Sequence, residues 1–299
     1  MTKALLALML CTATGGCAVS ATGKAGPAER SEGDLLKAFA ADLPGERLQA
    51  ARDMAAKGPD VVPKLIAALG DKDWKVRRSA TDALGELKAD AKPAVPALIK
   101  ALEDPDAWVR AGAAAALGRI GAEAAEAAEP LAAAAVDDDL FVRTCALESL
   151  TRGKITEDKA ILLRAAVGAM AIRESGWAAK RLAMDILSRH GKDHKPAIPA
   201  LLKALEHPPE GMWDGTPRVV ELLDGMGAGD QAVPHLIKLL DPDRRTMPRK
   251  AAEALGKLGK TAAPALPALR NLAQKASRDK GAADVAKKAI EQIEAAMKK

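Results

Sequence analysis

Apolar residues recur along this chain at the spacing of a helix. One stretch places its apolar side chains at three- and four-residue intervals, on one face of a helix, and these residues are Val109, Ala113, Ala116, Leu117 and Ile120. Asp106 stands where such a helix needs an N-cap, and Gly121 stands where it needs a stop. The pattern predicts a helix between these two residues.

The same pattern returns at a constant interval in neighbouring units. A valine-arginine pair begins three successive helices and marks the period, at Val76-Arg77, Val109-Arg110 and Val142-Arg143. A proline stands at the start of a second apolar stretch in five units, where a missing amide costs little, at Pro63, Pro96, Pro199, Pro234 and Pro267. Each unit is therefore predicted to be a pair of helices.

Neither helix of a pair can bury its apolar stripe alone, so the units must stack into a continuous core. We predict an all-α fold, an α-α superhelix of about seven helix pairs over residues 34–299. The register gains four residues between Leu150 and Leu187 and two more further along. These gains predict insertions near residues 151–178 and 207–217.

The best-formed unit carries a family resemblance. Its residues read Asp104-Pro105-Asp106-Ala107-Trp108-Val109-Arg110, followed by Ala116-Leu117-Gly118-Arg119-Ile120-Gly121. This run resembles the short bacterial HEAT repeat, also called the phycobilisome-lyase-type HEAT repeat. The resemblance implies a solenoid of the armadillo-type fold that binds a partner, with its concave face lined by the second helix of each pair.

The N-terminus has the features of an export signal. Lys3 is followed by an apolar run too short to span a bilayer and then by small residues up to Gly16. We predict a signal peptide over residues 1–16 and a flexible tether over residues 17–33. The stretch before Cys17 resembles the lipobox of bacterial lipoproteins, which implies lipidation of Cys17; a cleaved secretory protein and a chain that is not exported remain alternatives.

Composition limits what the core can contain. The chain has no Tyr, two Phe and four Trp, so small residues must supply much of the helix packing. Trp108 and Phe141, at equivalent places in successive units, are predicted to fill one core position. After cleavage Cys145 would be the one remaining cysteine, so no disulfide within the chain is expected.

A column of cations runs beside the acidic turns between units. It contains Arg77, Arg110 and Arg143, with Lys180 in the shifted register, and Asp104 and Asp106 lie in the adjacent turns. Arginine offers a planar fork to a carboxylate. We predict a structural ladder of Arg–Asp pairs that joins successive units.

Two further sets of residues are candidates for contact with a partner. Lys100, Lys203 and Lys238 share one position on the second helices and would attract an acidic peptide, polysaccharide or lipid head group. Met212 and Trp213 lie in the insertion 207–217, and tryptophan is enriched where interfaces gain most of their energy.

These observations favour a non-enzymatic scaffold for protein-protein interaction at the cell envelope. We expect a protein or peptide partner, no catalytic residues, no metal, no cofactor, membrane contact through a lipid anchor alone, and a monomer. The alternative is an enzyme or enzyme subunit similar to the phycobilin lyases. An oxidoreductase similar to the HEAT-repeat deoxyhypusine hydroxylases is less favoured, because the chain has no His-Glu dipeptide. Nucleic-acid binding is also less favoured, because the net charge is only +5.

Overall fold

A computed structural model describes residues 30–172, 176–206, 215–241, 247–275 and 280–298. Across these ranges the chain forms sixteen α-helices and no strand, which confirms the all-α fold. Seven consecutive helix pairs stack between one opening helix, α1 (Glu32–Ala38), and one closing helix, α16 (Lys280–Met297).

The helices form two layers. The first layer contains the first helix of each pair, namely α2 (Pro44–Ala55), α4 (Trp74–Leu87), α6 (Ala107–Ile120), α8 (Leu140–Arg152), α10 (Gly176–His190), α12 (Gly215–Gly225) and α14 (Met247–Leu258). The second layer contains α3 (Val62–Ala68), α5 (Val95–Ala101), α7 (Ala128–Ala134), α9 (Lys159–Ala171), α11 (Ile198–Glu206), α13 (Gly229–Lys238) and α15 (Leu266–Lys275).

Aspartates begin the best-formed first-layer helices. The carboxylate of Asp106 accepts a hydrogen bond of 2.8 Å from the amide of Trp108, which satisfies one of the free amides of the first turn. Asp73 and Asp139 cap α4 and α8 in the same way. At the other end of α6, Gly121 adopts a φ of 76°, a left-handed conformation that suits glycine.

Prolines begin most second-layer helices, and short 3₁₀ segments connect several of them to the first layer. Pro63, Pro96, Pro199 and Pro267 each lie in the first turn of their helix. Pro234 differs, since α13 begins five residues before it and the proline lies inside the helix. The short connection at Met226–Ala228 brings the chain directly from α12 into α13 and leaves no room for a 3₁₀ segment.

Small side chains let the first-layer helices approach one another. Ala80, Ala113 and Ala146, which occupy the same position in three successive units, are all fully buried. A Cβ atom at Gly85 would lie 3.3 Å from the Cα atom of Ala116 in the next helix. The alanine-rich composition therefore serves close helix contact, as the scarcity of aromatic residues predicts.

The two layers are not equally spaced. From Pro44 to Arg152, successive first-layer helices pack closely, whereas successive second-layer helices lie further apart and make few direct contacts. A stack that is closer on one side curves towards that side, so in this part of the chain the first layer is concave. The expectation that the second helices line the concave face is wrong here.

The predicted insertions and boundaries are only partly described. The region 151–178 contains α9, a regular second-layer helix, and its extra residues lie before Lys159 and after Ala171. Residues 207–214 of the second insertion, and the signal peptide and Cys17, lie outside the described residues. Helix α1 begins at Glu32 with Ser31 as its N-cap, two residues before the predicted start of the solenoid at residue 34.

Candidate functional site

Two pairs of the predicted Arg–Asp ladder form. Arg77 donates two hydrogen bonds to the carboxylate of Asp104, at 2.7 and 2.8 Å. Arg110 makes the equivalent bonds to Asp137, at 2.8 and 2.9 Å. Each arginine also donates through Nη1 to the first carbonyl of the turn before its own helix. Each pair therefore joins two successive inter-unit turns.

The environment keeps these carboxylates charged. Burial raises the pKa of Asp104, but hydrogen bonds from Arg77 and from the Asp106 amide, with the charge of Arg110, bring the net pKa below its ordinary value. Asp137 has the same balance, with Arg110 and the Asp139 amide as donors. The hydrogen bond to Asp137 in turn raises the pKa of Arg110.

The ladder changes beyond the third unit. Arg143 is buried, and its Nη1 donates to the carbonyls of Asp137 and Asp138 at 2.6 and 3.0 Å. Lys180, which stands in the shifted register, is also buried. Burial lowers the pKa of Lys180, and the charges of Lys203 and Arg143 lower it further. Residues 173–175, which lead into this unit, lie outside the described residues.

Asp106 has a different role from Asp104. Its carboxylate caps α6 and forms no ion pair among the described residues, so its placement in the ladder is wrong. Asp106 lies two positions after Asp104. The side chain of Asp104 accepts a hydrogen bond of 2.9 Å from the amide of Asp106. One turn therefore contains one pairing aspartate and one capping aspartate.

These two roles predict different losses in the free energy of unfolding when each aspartate is replaced by alanine. Asp106→Ala should lower the free energy of unfolding by about 1 kcal/mol, because it removes a cap. Asp104→Ala should lower it by about 2–3 kcal/mol, because it also leaves Arg77 without the carboxylate that accepts two of its donors. Urea unfolding of the two variants checks this order, and equal losses would contradict the separate roles.

The three lysines of the predicted row are exposed and lie on second-layer helices. Lys100 lies in the part of the chain where this layer is the convex one, which corrects the expected concave position of the row there. It is separated from Lys203 by α7 and α9. Lys238 lines a small cleft of about 210 Å³ together with Asn271, the residue at the equivalent position of the next unit.

Met212 and Trp213 lie outside the described residues. Their predicted contact with a partner stays a prediction. Cys145 is buried in α8. No group of three or more His, Cys, Asp or Glu side chains in the described ranges is arranged to hold a metal ion. In the same ranges, no helix combines the length and the apolar character needed to cross a membrane.

The feature that the sequence analysis missed is an exposed apolar surface at the start of α6 and α8. We define the Trp108 patch as Trp108, Val136, Leu140 and Phe141. Trp108, Val136 and Leu140 are 48%, 45% and 44% exposed, and they are three of the five exposed large apolar residues in the described ranges. Trp108 is thus not the core residue that its repeat position suggested.

The side chains of the patch are fixed by contacts with one another and with neighbouring helices. The rings of Trp108 and Phe141 lie 5.5 Å apart between centroids and are tilted by 55°, a favourable aromatic arrangement. A Cβ atom at Gly168 would lie 2.5 Å from Cγ1 of Val136. One at Gly176 would lie 2.4 Å from Cδ1 of Leu140. Both aliphatic side chains therefore rest on glycine backbone and present their other side outwards.

A cleft opens beside these side chains. Its volume is about 420 Å³, and it is lined by Val136, Asp137, Asp138, Leu140, Arg143 and Ile172. The floor of the cleft thus combines apolar side chains with the inter-unit turn 136–139. Three of the lining side chains are apolar and three are charged.

The rest of the first-layer surface is different in character. Ion pairs join neighbouring helices there, with Arg119 to Glu86 at 3.0 Å, Arg218 to Asp185 at 2.5 Å and Lys257 to Glu221 at 2.8 Å. Paired charges cover these helices, while the Trp108 patch leaves apolar surface uncovered. Three exposed large apolar side chains on neighbouring units make this surface a candidate contact site.

Comparison with known proteins agrees with this architecture. A family model described as HEAT repeats matches residues 34–95, 62–151 and 95–169. Residues 34–169 match the HEAT repeat family. The HEAT resemblance is therefore confirmed over this range, and the same alternation of helices continues beyond it. No curated protein matches the sequence.

Solved structures and models share the fold at low sequence identity. Escherichia coli YibA is 17% identical, with a TM-score of 0.55 over 90% of this chain and 94% of that one. A homology model of the AP-3 complex is 15% identical, with a TM-score of 0.62 over 89% of this chain and 52% of that one. The CpcE–CpcF complex of phycocyanin lyase from Nostoc is 22% identical, with a TM-score of 0.35 over 93% of this chain and 100% of that one. The first two likenesses show the fold alone, and the third carries no argument for a lyase.

Proposed function

We propose that this chain is a non-enzymatic interaction scaffold that binds a protein or peptide at the Trp108 patch. The exposed Trp108, Val136 and Leu140 carry the proposal, because they leave apolar surface open beside a cleft, whereas ion pairs join neighbouring first-layer helices elsewhere. Repeat solenoids use such extended surfaces for binding. The match to HEAT repeats supports this class of function.

The scaffold is proposed to act at the cell envelope. Residues 1–16 would direct export, and lipidation of Cys17 would anchor the chain to a membrane. Residues 17–31 would then separate the anchor from the first helix. A Cys17→Ala variant tests the anchor: it should leave the membrane fraction, and retention there would contradict lipid anchoring.

Two other surfaces are proposed as additional contacts. Met212 and Trp213 supply an apolar pair, and Lys100, Lys203 and Lys238 are exposed cations on the second layer. Because these two sets of residues differ in chemistry, separate variants can distinguish their contributions.

A crosslinked pull-down from the native envelope tests the proposed function. Trp108→Ser should lower recovery of the crosslinked partner about tenfold, since a central aromatic residue often dominates an interface. Leu43→Ser is the matched control, because Leu43 is 62% exposed but lies outside the patch. Trp213→Ala and the triple variant of Lys100, Lys203 and Lys238 test the additional surfaces. Unchanged recovery with Trp108→Ser would contradict the proposal.

A further inference from the structure

The turns around the Trp108 patch are acidic. The three turns 70–73, 103–106 and 136–139 contain eight carboxylates and one lysine. Most of these carboxylates have a structural partner, since Asp104 and Asp137 bind arginines and Asp73, Asp106 and Asp139 cap helices. A carboxylate that has no partner within the fold can pair with a cation of another protein.

Two carboxylates of these turns, Glu103 and Asp138, have exposed side chains that neither pair with a cation nor accept a backbone amide among the described residues. Asp71 differs from them, because its side chain accepts the amide of Asp73 at 2.8 Å. Asp138 lines the cleft directly. Glu103 lies in the turn that precedes the helix of Trp108. The apolar surface therefore has acidic side chains at its rim.

Three arginines near the patch have partners within the fold. Arg110 binds Asp137, and Arg78 binds Asp82 while donating to the carbonyl of Trp108 at 2.7 Å. Arg143 lines the cleft, but it is only 3% exposed and donates to two backbone carbonyls. Among the residues that line the cleft, the exposed charged side chain is therefore Asp138.

We propose that the occupant of the Trp108 patch is a basic peptide segment of another protein, in which one large apolar side chain is flanked by lysine or arginine. The apolar side chain would enter the cleft of about 420 Å³ between Val136, Leu140 and Ile172. The flanking cations would face Glu103 and Asp138. This inference rests on the proposed scaffold function and adds the chemistry of the partner.

Selection from a random peptide library displayed on phage tests the inference, with the folded chain as bait. Enriched sequences should contain an aromatic or aliphatic residue next to lysine or arginine. A dye-labelled copy of the most enriched peptide should bind at least about tenfold more weakly to Trp108→Ser than to the parent chain. Binding to Leu43→Ser should equal binding to the parent.

Asp138→Lys keeps the apolar surface intact and reverses the charge at its rim. It should weaken the same peptide by about three- to tenfold and reduce the salt dependence of binding. Circular dichroism of each variant establishes that the helices are retained. Enrichment of acidic peptides, equal binding to Asp138→Lys, or no enrichment at all would overturn the inference.

A second copy of the chain is the competing occupant. Sedimentation over a range of concentrations distinguishes it, because self-association abolished by Trp108→Ser would assign the patch to a dimer and overturn the inference. If the envelope partner requires Trp108 but presents an acidic segment, the basic-peptide inference fails while the scaffold function stands.

Discussion

Replacing Arg110 by alanine should lower the free energy of unfolding by about 2–4 kcal/mol. The change removes two hydrogen bonds to Asp137 and leaves that carboxylate, whose side chain is only 14% exposed, without its partner. It also removes donors to the carbonyls of Asp104 and Pro105. Urea unfolding followed by circular dichroism measures the loss.

Arg152→Ala is the matched control. Arg152 pairs with Glu148 on one helix, and the two side chains are 65% and 40% exposed, so its loss should cost less than about 0.5 kcal/mol. The Arg110 pair should also respond to acid. Because the pKa of Asp137 is lowered from 3.8 in the folded chain, its contribution is present above that value and is lost as pH falls through the lowered pKa. Equal losses for the two arginine variants would contradict the structural role of the ladder.

Gly118→Ala should destabilise the chain by about 1–3 kcal/mol, although alanine normally favours a helix over glycine. A Cβ atom at this position would lie 2.4 Å from Oγ and 3.0 Å from Cα of Ser149 in the next first-layer helix. The Ser149 hydroxyl donates to the carbonyl of Ala114 at 2.8 Å, so the side chain cannot move away without losing that bond. Thermal and urea unfolding both report the change.

Gly45→Ala provides the opposite expectation. Gly45 lies in α2, and no atom would come within 4 Å of a Cβ there. Its replacement should stabilise the chain by up to about 1 kcal/mol through helix propensity. A stabilising effect at both glycines would contradict close contact between the first-layer helices.

The repeating part of the fold can be read from the sequence because local signals agree there. The Asp106 cap, the Gly121 stop and the apolar stripe between them all specify one helix, and α6 begins and ends within one residue of them. Arg77 and Arg110 pair as their repeat position predicts, because a similar turn returns in each successive unit. Where the register shifts, around α9 and in the insertion before Pro234, the connections differ and the sequence predicts less.

The exposed side chains of the candidate site depend on how neighbouring units pack together. The spacing of residues in the sequence does not by itself determine this packing. Trp108 was expected in the core from its match with Phe141, yet it lies one position away from the buried stripe that begins at Val109. Trp108 shares a helix face with the exposed Arg119, and this shared face is the signal in the sequence that Trp108 is exposed. The concave position expected for the lysine row is wrong at Lys100 for a related reason. Sequence periodicity does not show which layer of helices is the more closely spaced.

Site-specific photocrosslinking tests the central claim most directly, namely that the Trp108 patch is the partner-binding surface. A benzophenone amino acid replaces Trp108 in one sample and the similarly exposed but distant Leu43 in another, and both are irradiated in the native envelope. Partner binding at the Trp108 patch predicts a discrete protein adduct from position 108 and none from position 43. Adducts of equal yield from both positions, or none from position 108, would contradict it.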